Sequence, residues 1–76
     1  MYNLTLKFNG ETFNKRPKDI KKAILDTKPD VLHTEMYVIL KKGNDVRERK
    51  LNLRQGKSLF NNEDFLNIFV MNLQLN

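Results

Sequence analysis

The chain begins with a strict alternation. Leu4, Leu6 and Phe8 are separated by Thr5 and Lys7, the period-two pattern of a strand that buries one face. Asn9-Gly10 follows, a pair in which both positions tolerate positive φ and which therefore suits a type I′ hairpin turn. Glu11-Thr12-Phe13 reads as a short returning strand. The period then changes. Ile20, Ala23, Ile24 and Thr27 form one apolar stripe at helical spacing. Pro17 suits a first helical turn, where its missing N–H is not needed, and Pro29 forces a stop because the residue before it resists helical angles. The spacing predicts a helix over 17–28.

Residues 34–42 are rich in β-branched and aromatic side chains, Gly43-Asn44 interrupts them, and residues 46–53 read as a second strand. Glycine at the first central position suits a type II′ turn. A two-residue loop sets Lys42 opposite Asp45, Tyr37 opposite Lys50 and Met36 opposite Leu51, while a three-residue loop would shift the pairing by one. In the first register one face carries Tyr37, Ile39, Lys41, Val46, Glu48 and Lys50. The other carries Met36, Val38, Leu40, Leu51 and Leu53, with Arg47 and Arg49 towards the tip, and makes the better core.

Two patterns compete in the C-terminal third. Asn62-Glu63-Asp64 has the form of a helix cap with an acidic first turn, and Phe65, Leu66, Phe69, Val70 and Leu73 would make a helical stripe. Against that, residues 72–75 alternate and Ile68-Phe69-Val70 is strongly β-prone. The reading taken here is a helical turn near 58–65 and a central strand over about 67–75, with a second, C-terminal helix as the alternative. The fold class is then α+β: a single-layer mixed sheet of four to five strands packed on one helix, in ββαβββ order. In element order and length this resembles the ubiquitin-like β-grasp domains, a resemblance that implies a fold and no function.

Seventy-six residues make one domain with a thin core. The N-terminal alternation is no signal peptide, and the longest apolar runs are far short of the ~20 residues of a membrane span, so a cytoplasmic, membrane-free protein is expected. With no cysteine and one histidine, His33, neither a disulfide framework nor a usual zinc site can be assembled. Ser58 is the only serine, distant in sequence from His33, and the carboxylate pairs Asp26 with Asp30 and Glu63 with Asp64 both have ordinary helix-end explanations. Gln55-Gly56-Lys57-Ser58 lacks the first glycine of a phosphate-binding loop and reads as a turn. No catalytic, cofactor-binding or metal residue is assigned, and no cofactor is expected.

Charge adds the functional clue. Fourteen Lys and Arg against nine Asp and Glu leave +5, gathered over residues 15–22 and 41–57. Asparagine and lysine are abundant while serine and alanine each occur once, the bias of an AT-rich coding genome of the kind phages often have. On the predicted helix, Lys18, Lys21, Lys22 and Lys28 lie opposite the apolar stripe with Leu25 in their midst, either an anchor for an acidic partner or one stray leucine on a solvated face. Lys15, Arg16 and Lys18 crowd the helix start, where an anion would relieve the repulsion. On the hairpin, Tyr37 beside Lys41 and Lys50 forms an aromatic-in-basic surface, and lysines there also guard a strand against edge aggregation.

The expected binding residues are therefore Lys15, Arg16, Lys18, Lys21, Lys22, Leu25, Tyr37, Lys41, Arg47, Arg49, Lys50 and Arg54. The expected function is that of a non-enzymatic regulatory or inhibitory protein docking on an acidic protein surface. The alternatives are phosphate-mediated nucleic-acid binding, for which no familiar reading element is present, and an assembly subunit whose C-terminal strand pairs with another copy.

Overall fold

The computed structural model describes residues 2–75. Strands β1 (Asn3–Phe8) and β2 (Glu11–Lys15) form the first hairpin, and both turn residues take positive φ, 53° at Asn9 and 75° at Gly10, as the type I′ turn requires. Asn9 has a second task. Its side-chain oxygen Oδ1 accepts from the His33 backbone N–H at 2.7 Å and its side-chain Nδ2 donates to the Val31 carbonyl at 2.8 Å, so the turn holds the long loop that leads back to the sheet.

That loop delivers β3 (Met36–Lys42), which turns through Gly43-Asn44 into β4 (Asp45–Leu51). Gly43 has φ 59° while Asn44 does not, which is the type II′ pattern. The register is the two-residue one: Lys42 pairs with Asp45, Tyr37 with Lys50 and Met36 with Leu51. β1 pairs antiparallel with β3, Leu6 opposite Val38 and Lys7 opposite Tyr37, giving a four-stranded sheet of order β2-β1-β3-β4.

Helix α1 (Ile20–Leu25) is shorter than the sequence predicts. Asp19 caps it by accepting from the Lys22 N–H at 3.2 Å, which leaves Pro17 outside the helix. At the other end Thr27 folds back and donates its hydroxyl to the Ile24 carbonyl at 2.7 Å.

After β4 the chain departs from the expected ββαβββ order. Leu53, assigned above to the core face of a strand, is the first residue of helix α2 (Leu53–Asn61) and is 37% exposed. Asn52 and Gln55 form a reciprocal capping box at 2.8 and 2.9 Å that starts this helix before a strand can continue. The segment 55–58 is accordingly helical and not a turn. Nor is there a strand over 67–75: residues Glu63–Gln74 form helix α3. Asn62 ends α2 through its N–H to the Ser58 carbonyl, then caps α3 by accepting from the Phe65 N–H at 3.1 Å. With the last element helical, every strand pair in the sheet is antiparallel. The α+β class stands, with three helices in place of one.

A single core results. Leu4, Leu6 and Phe8 of β1, Met36, Val38 and Leu40 of β3 and Leu51 of β4 meet Ile20, Ala23 and Ile24 of α1, Leu59 and Phe60 of α2, and Leu66 and Leu73 of α3. Phe8 stacks on Phe13 with centroids 5.2 Å apart and meets the edge of Phe60 at 5.5 Å. All three helices join this cluster, so they cover one face of the sheet. The other face is open.

Candidate functional site

Because paired residues in antiparallel strands point the same way, the register fixes what the open face displays. Three rows cross it. The first reads Thr12, Lys7, Tyr37, Lys50 from β2 to β4. The second reads Asn14, Thr5, Ile39, Glu48, and the third Asn3, Lys41, Val46. Tyr37 and Ile39 occupy the central strand and are half-buried by their neighbours.

The tyrosine is bracketed by cations. Lys7 stands opposite on β1 and Lys50 opposite on β4, the Lys50 ammonium lying 5.9 Å from the ring centroid and 3.4 Å from Glu35 Oε2. In the next row the Thr5 hydroxyl donates to Asn14 Oδ1 at 2.9 Å, which ties the β1–β2 side of the face together. The result is a small apolar centre inside a ring of amides, hydroxyls and ammonium groups that also holds the carboxylates of Glu48, opposite Ile39, and Glu35, beside Lys50.

The twelve residues expected from sequence do not form one surface. Tyr37, Lys41 and Lys50 share the open face. Lys15 and Arg16 stand at the end of β2 between two grooves: one on the sheet side with Asn3, Thr5, Asn14 and Lys41, the other on the helix side with Lys18, Lys22, Asp19 and Asp26. Lys21 is taken up by an ion pair, its Nζ 3.0 Å from Glu63 Oε1, which links α1 to the first turn of α3. Leu25, at the end of α1, is 39% exposed. Arg54 lines a separate groove on α2 with Leu53, Lys57, Ser58 and Asn61.

Arg47 and Arg49 belong to the helix side of the edge strand, paired with the buried Leu40 and Val38. Arg47 donates to the Leu73 carbonyl at 3.0 Å and to Asp45 Oδ2 at 3.3 Å, and Arg49 donates to the Glu48 carbonyl at 2.9 Å. Arg47 thus holds the fold together. Lys7 and Ile39, central to the open face, are the residues that the sequence-based site omitted. The alternation placed Lys7 on the solvent side of its strand, but only the β1–β3 pairing brings it to Tyr37.

Ser58 lies within α2 and His33 in the loop before β3, its backbone held by Asn9. Among the described residues no group of three or more His, Cys, Asp or Glu side chains is arranged to hold a metal ion, and no helix is long and apolar enough to cross a membrane. No protein-family model matches the chain, nor does any curated protein or solved structure.

Proposed function

We propose that this chain is a non-enzymatic accessory protein that docks on an acidic surface of a partner protein through the open face of its sheet. The observation that carries this reading is the placement of Tyr37 between Lys7 and Lys50, with Ile39 beside it on the same strand. An aromatic ring on a rigid strand loses little conformational freedom on contact, and such residues dominate binding energy where a polar rim excludes water. The lysines around it would steer and align an acidic partner more than they would add affinity.

The open face is a better candidate than α1. That helix has only six residues, and its one exposed apolar side chain, Leu25, has no aromatic neighbour on it. A nucleic-acid platform would draw on several stacking rings, whereas Tyr37 is the one aromatic residue in the three rows.

Immobilised wild-type protein and the variants Tyr37→Ala, Lys7→Glu and Leu25→Asp separate these ideas when used to capture proteins from a cell extract. A protein held by wild type and by Leu25→Asp, and released by both open-face variants, supports the reading. Loss with Leu25→Asp alone would move the anchor to α1. Binding of single-stranded DNA that falls steeply with salt and requires Tyr37 would move the reading to nucleic acid.

A further inference from the structure

At the end of the open face, where β2 leaves the sheet, Arg16 and Lys41 line one groove together with Asn3, Thr5 and Asn14, while Lys15, which also borders it, pairs with the buried Leu4 and so sends its side chain towards the helix side. No carboxylate lines it, and neither Arg16 nor Lys41 takes part in the ion pairs found among the described residues, which are Lys21–Glu63, Arg47–Asp45 and Lys50–Glu35. Asn14 is set for donation. Its side-chain oxygen accepts from the Thr5 hydroxyl at 2.9 Å, which orients the amide, and its NH2 group brings two donors that enter no hydrogen bond among the described residues. Two positive charges with amide donors and no negative charge exceed what a single carboxylate needs. They match a phosphate monoester, which carries nearly two charges and three acceptor oxygens.

We infer that this groove is a phosphate subsite, and that on the docking reading above it takes a phosphoserine or phosphothreonine of the partner protein at the margin of the contact. The source follows from what surrounds the groove. On the sheet side the positions next to Lys41 are Ile39 on its own strand and Val46 opposite on β4, which offer no cation. On the helix side the run of lysines is interrupted by Asp19 and Asp26. A single phosphate is well received there, whereas a continuous polyanion would meet carboxylates on one side and neutral residues on the other.

The test is a titration of the isolated, isotope-labelled protein followed by two-dimensional NMR, with ionic strength held constant by chloride. Inorganic phosphate is expected to give saturable shifts at Asn3, Asn14, Lys15, Arg16 and Lys41, and acetate is not. Arg16→Ala and Lys41→Ala, both substitutions of exposed side chains, are each expected to weaken phosphate binding by roughly tenfold or more, the worth of a charge-assisted hydrogen bond. Equal shifts with acetate, or shifts unaffected by both variants, would overturn the site. A phosphoserine peptide should then bind more tightly than its unphosphorylated form. A single-stranded oligonucleotide that binds more tightly still, with shifts spreading to Lys18 and Lys22, would overturn the assigned source. These measurements need no partner protein, so their failure leaves the Tyr37 docking test intact, and failure of that test leaves the phosphate site standing.

Discussion

Arg47 Nη1 lies 3.0 Å from the backbone carbonyl oxygen of Leu73, joining edge strand β4 to the last turn of α3. A helix C-terminus carries unsatisfied carbonyls and partial negative charge, so a guanidinium there is favourable twice over. The side chain is largely covered, which keeps solvent from replacing it cheaply. Arg47→Ala is therefore expected to lower unfolding free energy by about 1–3 kcal/mol, read by chemical denaturation. Arg47→Lys should recover only part of this, since one ammonium cannot reproduce the fork that also reaches Asp45. A stable Arg47→Ala variant with impaired partner capture would instead return Arg47 to the binding surface.

The same contact shows why the C-terminal third resists reading from sequence. Along α3 the apolar residues are not confined to one stripe: Leu66 and Leu73 are buried, while Ile68 and Met71, and Leu75 just past the helix end, remain more than half exposed. That spread blurs the helical period, and the alternation of 72–75 then imitates a strand. What decides the matter is local, the Asn62 cap and the acidic pair Glu63 and Asp64 in the first turn. The two hairpins were legible from their alternation and turn residues, but the register of the second stayed open between a two- and a three-residue loop until the pairing of Lys42 with Asp45 fixed it. Half of the candidate site was legible for the same reason. Lys7 was missed because which strand lies beside β1 depends on long-range packing and leaves no mark in a local pattern.

Asn62 serves two helices at once and has a predictable cost of loss. Asn62→Ala should destabilise by about 1 kcal/mol through the lost cap of α3, and Asn62→Asp should be close to neutral because its carboxylate can take the same bond from Phe65. Thermal unfolding of both variants checks the difference. An alanine variant as stable as wild type would show that the α2–α3 corner is held by packing alone.

Gly56 lies inside α2, where glycine costs about 1 kcal/mol relative to alanine. It is there because the helix runs close to the core loop: a Cβ at this position would lie 2.6 Å from Leu32 Cδ2 and 3.1 Å from Met36 Sδ. Gly56→Ala sets the recovered propensity against a clash with the ends of two flexible side chains. The two terms are of similar size, so a net change within about 1 kcal/mol is expected. Gly56→Leu has no such offset and should unfold well before wild type in urea. If it were tolerated, the close approach of α2 to Leu32 would be wrong.

The central claim is that the open sheet face is the surface that meets the partner. A photoreactive phenylalanine analogue placed at Ile39 on that face, and in a second variant at Met71 on the exposed side of α3, reports directly on which surface is covered. Irradiation in the source cell should yield a crosslinked protein from position 39, in an amount that falls sharply when Tyr37→Ala is added, and none from position 71. Crosslinks from position 71 alone, or a position-39 adduct indifferent to Tyr37→Ala, would contradict the account.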